Sequence, residues 1–266
     1  MPLVHPKGLA WLRVAWKGGL IGLLTFGGLA VLLLVRLVER PVFGLRRPVT
    51  PYITQAVCRG FFHILGLPFD QKGRPMQGQG AVVANHSSWL DIFVLNARKN
   101  IYFVSKSEVA GWPGIGWLAR ATGTVFINRT SREAKAQTEV FVHRLHAGHK
   151  LLFFPEGTST DGQSVIEFKS TLFAAFFDDA LRTDMEIQPV SVVFHPPKGQ
   201  DPRFYCWWGD MGFGEHLLHV LAAPRHGRAE VIYHPPLRVA AFENRKLLAH
   251  QLHAQITESH AAARNH

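Results

Sequence analysis

Eighteen consecutive residues without a charge, Gly18 to Val35, constrain this chain more than any other feature of its sequence. Thr25 is the only polar side chain among them. As a helix rising ~1.5 Å per residue, the run is roughly 27 Å long, just short of the ~30 Å hydrocarbon core of a bilayer. Lys7, Arg13 and Lys17 precede it, Arg36, Arg40, Arg46 and Arg47 follow, and Trp11 and Trp16 stand where interfacial tryptophans sit. A cleaved signal peptide fits less well, because the run is long and no A-x-A site precedes a mature start. A weaker segment, Pro51 to Pro68, encloses Arg59 and sets Ile53, Val57, Phe61 and Ile64 on one helical face. That pattern predicts an interfacial helix with its apolar face among acyl chains. Residues 1–70 are therefore expected to be membrane-anchoring helices, and residues 71–266 a separate folded domain.

The rest of the chain reads as α/β. Apolar residues make up 47% of the 266, which excludes general disorder. The 29 Lys and Arg against 19 Asp and Glu give a net charge of +10, and beside a membrane segment this surplus points to acidic lipid headgroups. Cys58 and Cys206 are far apart with no C-x-x-C, so neither a disulfide framework nor a Cys-rich zinc module is expected, and the compartment is a reducing one. Short apolar runs at Ala81–Ala84, Ile101–Val104, Val125–Ile127, Leu151–Phe154, Pro189–Phe194 and Glu230–Tyr233 predict buried strands. Leu90–Ala97, Gly114–Ala121, Arg132–Ala147, Thr171–Ala180 and a C-terminal stretch from about Phe242 to Ala263 predict helices. Their alternation implies a mixed, largely parallel sheet flanked by helices.

Four segments carry chemical possibilities. Asn85-His86-Ser87-Ser88-Trp89-Leu90-Asp91 follows a strand and opens a helix. Residues five apart are about 140° apart on an ideal helix, so His86 and Asp91 meet only if His86 lies in the turn and Asp91 in the first helical turn. An aspartate on Nδ1–H would fix the tautomer and leave Nε2 as a base. Ser88-x-x-Asp91 is equally a capping-box pattern, and the segment alone does not separate the two readings. Phe126-Ile127-Asn128-Arg129 puts an arginine just past a strand end, where phosphate or carboxylate ligands bind, or where a loop arginine is merely solvated. In Phe154-Pro155-Glu156-Gly157-Thr158-Ser159, Gly157 permits a tight turn whose N–H groups could cradle an anion. Glu156 beside such a turn needs a cation or a hydroxyl, unless the turn is ordinary. Pro189 is expected to begin a strand and to be structural.

In this order the four segments resemble the blocks of the glycerolipid acyltransferase family, the bacterial lysophosphatidic-acid-type enzymes. The first block, Asn-His-x4-Asp, is matched by Asn85, His86 and Asp91. The second, a strand ending in Phe-Ile-x-Arg, is matched by Phe126, Ile127 and Arg129. The third, Phe-Pro-Glu-Gly-Thr-Ser, is matched in full by residues 154–159, and Pro189 fits the fourth. The resemblance spans roughly Val82 to Phe194 and implies a glycerol-3-phosphate acyltransferase-like domain over 71–266 behind an N-terminal membrane-attached helical segment. It implies transfer of an acyl chain from acyl-CoA or acyl-carrier protein to the free hydroxyl of a lysolipid, at the inner (cytoplasmic) membrane with the site facing the cytoplasm. In that chemistry His86 would be the general base and Asp91 its orienting partner, with neither metal nor cofactor required. By resemblance Arg129, Glu156, Gly157 and Thr158 would hold the acceptor headgroup, and Lys106 is a further candidate cation. The acceptor implied first is 1-acylglycerol-3-phosphate. Phe168-Lys169-Ser170-Thr171-Leu172-Phe173 and Gly209-Asp210-Met211 look similar to the branch acylating lyso-ornithine and related aminolipids, which stands second.

Competing classes lack specific residues. There is no G-x-S-x-G elbow for a serine hydrolase. Gly114-Ile115-Gly116 is separated from the preceding strand by Pro113 and a polar stretch, which argues against a dinucleotide site. His143, His146 and His149 read as a solvated helix face rather than a metal site. A membrane-tethered nucleic-acid binder would use the positive charge but shows no motif, so no nucleic-acid partner is expected.

Overall fold

A computed structural model describes residues 3, 5–128 and 134–265 of the chain. Two helices open it, α1 (Ala10–Phe43) and α2 (Thr50–Leu65), followed by β1 (Phe69–Lys72), β2 (Gly80–Ala84), α3 (Leu90–Arg98) and β3 (Tyr102–Lys106). After a 3₁₀ turn at Ser107–Gly111 come α4 (Ile115–Thr122), β4 (Val125–Ile127), α5 (Ala134–His146) and β5 (Leu151–Phe153). A second 3₁₀ segment, Ser170–Phe177, leads to α6 (Asp179–Arg182), β6 (Glu186–His195), α7 (Phe213–Ala222), β7 (Arg228–Tyr233), β8 (Leu237–Arg238) and α8 (Arg245–Arg264). The strands form one sheet in the order β1-β7-β6-β2-β5-β3-β4, with β8 also on β6. Strands β6, β2, β5, β3 and β4 run parallel, and β7 and β8 pair antiparallel with β6. This is the mixed, largely parallel sheet expected from the sequence.

Strand β2 is buried on both faces, as the central strand of a helix-covered sheet must be. Val82 and Ala84 face a core shared with Phe61, Phe62, Leu90, Val94 and Val220, whereas Ala81 and Val83 face Leu145, Phe173, Leu248 and Leu252. Helices α1, α2, α3 and α7 therefore cover one face, and α5, the second 3₁₀ segment and α8 cover the other.

Several elements differ from expectation. The stretch predicted helical over Thr171–Ala180 is 3₁₀ up to Phe177, because Phe173 and Phe176 are both fully buried and only a three-residue turn eclipses positions three apart. Pro189 does not begin its strand; it lies inside β6. Its carbonyl accepts from His234 N–H, so its missing donor points to the gap where the partner of β6 changes from β8 to β7, and no ladder bond is lost. Helix α8 begins after Asn244, whose side chain accepts from Lys246 N–H and Leu247 N–H. Strand β1, a polar Phe-Asp-Gln-Lys, and the two-residue β8 carry no apolar signal, and α7 lay hidden behind a tryptophan-rich stretch.

The N-terminal pair departs most from the sequence picture. Helix α1 runs for 34 residues, about 51 Å, and only 11% of its most apolar stretch is buried. It is nonetheless docked along its length. Arg13 Nε donates to the Ala222 carbonyl at 2.9 Å, Lys17 Nζ donates to that of Leu65 at 2.9 Å, and Phe26 lies close enough to Gly114 that a Cβ there would be 3.8 Å from its ring. Near its C-terminal end Glu39 accepts from Val49 N–H, Thr50 N–H and Thr50 Oγ1, capping α2 from a neighbouring helix. The α2 stripe expected in lipid is instead packed on protein. Phe61 is 1% exposed against Trp89 and Phe93, and Val57 lies against Gly28 of α1. A Cβ on Gly28 would fall 2.4 Å from Val57 Cγ2, whereas one on Gly22 would meet nothing. Gly22→Ala should raise stability by up to about 1 kcal/mol through helix propensity. Gly28→Ala should lower it by about 1–3 kcal/mol through overpacking, an ordering that thermal melts of detergent-solubilised protein will read.

Candidate active site

The parallel strands discharge their C-terminal ends along one edge of the sheet, which is where ligands bind in open α/β folds. His86 follows β2, Lys106 closes β3, Asn128 follows β4 and Glu156, Gly157 and Thr158 follow β5. Six of the seven sequence-predicted site residues thus belong to these strand ends or to the helix that follows. Arg129 itself lies outside the described residues.

His86 sits in the turn and Asp91 in the first turn of α3, the arrangement the spacing requires. His86 Nδ1 is 2.8 Å from Asp91 Oδ2. The same oxygen accepts from Ser87 N–H at 2.9 Å and Ser88 N–H at 3.0 Å. An oxygen already taking two backbone donors acts as an acceptor, so Nδ1 carries a proton, and in the neutral imidazole the lone pair is then on Nε2. The capping and pairing readings are therefore both true of one carboxylate oxygen. Asp91 is fully buried, and the imidazole ring stacks on Phe154 with centroids 4.0 Å apart and planes 12° from parallel. The ring is held on an edge and a face.

Asn85, first in the motif, makes no approach to this centre. Its side-chain amide exchanges two 2.8 Å hydrogen bonds with the Val192 backbone, extending the β2–β6 ladder by one side chain. Trp89 Nε1 donates to His216 Nδ1 at 2.9 Å, tying the motif to α7, and burial pushes the His216 imidazole down to about 4, so it stays neutral. No local sequence signal marks His216 as a partner of this segment.

A cavity of about 370 Å³ opens beside His86. Lys106, Gly157 and Thr158 line it, as expected, and Lys106 Nζ lies 3.6 Å from Glu108 Oε1 at its rim. Ile127, Phe141, Phe153 and Leu172 make its deeper wall apolar. Trp112 and Trp207 also line it, rings perpendicular and 6.4 Å apart. Trp207 comes from beyond β6, and only its tryptophan-rich neighbourhood could have suggested it. Gly157 turns the chain with φ at +77°, a conformation that favours glycine.

Glu156 does not join them. It is fully buried and absent from the cavity lining; Oε1 accepts from His86 N–H at 2.6 Å and Oε2 from Ile166 N–H at 3.0 Å. It braces the histidine turn against the loop after β5, so the expected contact with the headgroup gives way to a structural one. Burial pushes its carboxyl up to about 7 from an ordinary 4.5, against the lowering effect of the two N–H donors.

Comparison with known proteins decides the family. The Acyltransferase family model matches residues 70–193. A lyso-ornithine lipid O-acyltransferase of Rhodobacter capsulatus is 59% identical over 237 residues, covering 89% of this chain and 86% of that protein. The chain belongs to the acyltransferase family. A 1-acyl-sn-glycerol-3-phosphate acyltransferase of Neisseria gonorrhoeae is 39% identical over 98 residues, 36% of this chain and 38% of that one. In fold, the acyltransferase resembles the 1-acyl-sn-glycerophosphate (LPA) acyltransferase structure from Thermotoga maritima, with a TM-score of 0.68, 19% identity, and coverage of 97% of this chain and 96% of that one. Both of these curated relatives are named for lysolipid acceptors.

The Glu156 brace yields a pH signature. Because the folded carboxyl binds its proton more tightly than the unfolded one, folded stability falls as pH rises from about 4.5 to about 7, by about 3 kcal/mol in all. Glu156→Gln removes that slope while turning an NH₂ toward one backbone N–H. Urea unfolding should show the wild type's advantage over the variant shrinking across this window, and a constant difference would contradict the assigned titration.

Proposed function

We propose that this acyltransferase transfers an acyl chain from an acyl-CoA or acyl-carrier-protein thioester to the free hydroxyl of a lyso-ornithine lipid. The observation that carries the acceptor is the 59% identity over 89% of the chain with an enzyme of that name, against a match to a 1-acylglycerol-3-phosphate enzyme over 36%. This reverses the order in which sequence motifs alone place the two acceptors.

The mechanism follows from the dyad. His86 Nε2 takes the proton of the acceptor hydroxyl as its oxygen attacks the thioester carbonyl. Asp91, fixed by two backbone N–H groups, stabilises the imidazolium that results. The tetrahedral intermediate collapses with cleavage of the C–S bond, and the imidazolium returns its proton to the departing thiolate. The thioester is already activated, so a base, positioning and charge stabilisation suffice. Lys106 and the turn at Gly157 and Thr158, with Arg129 next to Asn128 in the chain, are the groups we assign to the acidic part of the headgroup, and the apolar wall to an acyl chain. His86→Ala should abolish thiol release while the protein still folds, and Asp91→Asn should lower release by roughly 10²–10⁴-fold. Purified enzyme given an equimolar mixture of lyso-ornithine lipid and 1-acylglycerol-3-phosphate should acylate the former first, as read by mass spectrometry; preference for the phosphate lipid would overturn the acceptor assignment.

The enzyme acts at the cytoplasmic face of the inner membrane with α1 lying along the surface rather than crossing it. Helix α1 touches α7 at its first turns, α4 at its middle and the start of α2 at its end, contacts that support a surface-lying placement. Its outward face, with Leu12, Trp16, Leu23, Leu34 and Leu37 each more than half exposed, meets the acyl chains instead. Both native cysteines are buried. Single His5→Cys and Leu45→Cys variants, one from each end of α1, should therefore be labelled by an impermeant maleimide from the same side of sealed inner-membrane vesicles; labelling from opposite sides would require a span.

A further inference from the structure

A second large concavity lies at the N-terminal end of α1, remote in lining from the dyad. Its volume is about 690 Å³, and Lys7, Arg13, Lys198 and Arg225 line it with no acidic residue among the described lining residues. Arg13 is fixed there by its bond to the Ala222 carbonyl, while Lys7, Lys198 and Arg225 are exposed. The acid nearest in sequence to this rim, Asp201, is already forked by Arg203, with contacts of 3.0 and 2.9 Å. Four cations held together without a counter-charge repel one another, and a phosphate among them relieves that repulsion. The floor is apolar, with Phe204 and Ala222.

What adjoins the groove selects the anion. Around α1, Trp16 and Leu20 lie within about 60° of Arg13, and both are exposed, at 56% and 40%. Leu9 and Leu12, at 75% and 65%, continue the same flank. A water-soluble anion would neutralise the cations and leave this stripe bare. A phospholipid satisfies both, with its phosphate in the groove and its chains along α1.

We propose that this groove is a dedicated binding site for the headgroup of one anionic phospholipid, separate from the acceptor site, and that it fixes the angle at which the enzyme sits on the bilayer. The inference rests on the surface-lying reading of α1. The apolar flank supplies attachment to any bilayer, and the groove adds the preference for an acidic one.

Flotation of the full-length protein with phosphatidylcholine vesicles, with and without phosphatidylglycerol, separates these contributions. Wild type should bind neutral vesicles and bind the anionic ones more tightly. Lys198→Glu with Arg225→Glu should leave neutral binding and detergent-assayed turnover intact while reducing the anionic preference by about tenfold or more. The comparison is Arg238→Glu with Lys246→Glu, which changes net charge equally at residues outside the groove lining and should keep the preference. Equal loss in both double variants means diffuse attraction and overturns the site, as does no loss in either. Reversal of the preference by millimolar inorganic phosphate at constant ionic strength would make it a free-phosphate site and overturn the lipid assignment. Failure of wild type to bind neutral vesicles would refute instead the surface-lying helix.

Discussion

The parallel register of β2 with β5 is the constraint on which this site depends. Val83 is directly opposite Phe153, so His86 and Glu156 each stand three residues past the same rung of the ladder. Strands in that register leave the sheet side by side, and the hydrogen bond from His86 N–H to Glu156 follows from it. So does the stacking of the imidazole on Phe154, the first residue beyond β5. A shift of one residue would invert the facing of every β5 side chain and take the brace and the stacking surface away together. The catalytic geometry is thus set by backbone pairing in the core and only finished by side chains at the edge.

Much of this was legible because it is local. A histidine in a turn and an aspartate in the next helical turn can be inferred from spacing alone, and apolar runs of buried parallel strands stand out from polar surroundings. Lys106, Gly157 and Thr158 line the cavity beside His86, and each lies within a few residues of a strand end, where sequence can point to it. Glu156 shows the limit. Its neighbours in sequence are cavity residues, yet its carboxylate turns inward to N–H groups 70 and 10 residues away, and no spacing rule reports a partner at that distance. His216 was invisible for the same reason, and Trp207 was marked only by its tryptophan-rich neighbourhood, since α7 and the loop before it reach the site through tertiary packing.

The α2 stripe was legible as a pattern but not as an environment. Ile53, Val57, Phe61 and Ile64 form an apolar face in either solvent, and amphipathicity does not distinguish a lipid from a neighbouring helix. Glycines on facing helices show the close approach: Gly28 admits the branched side chain of Val57, and Gly60 lies under Leu24. The packing of α2 on α1 and α3 covers much of its apolar face and leaves the opposite flank of α1 exposed.

The cap that Glu39 provides to α2 has a consequence for how the protein could have arisen and how it can be cut. Helix α2 has no side-chain cap of its own, and Phe61, Phe62 and Leu65 at its far end belong to the core of the sheet. Helix α1 and the sheet are therefore tied through a shared helix, α2, whose first turn α1 completes. Removing residues before Thr50 would uncap α2, bare the groove that Leu24 fills and loosen one covering layer of the sheet. A water-soluble form of this enzyme has to keep α1 and change its outward side chains, because its inward ones are part of the fold.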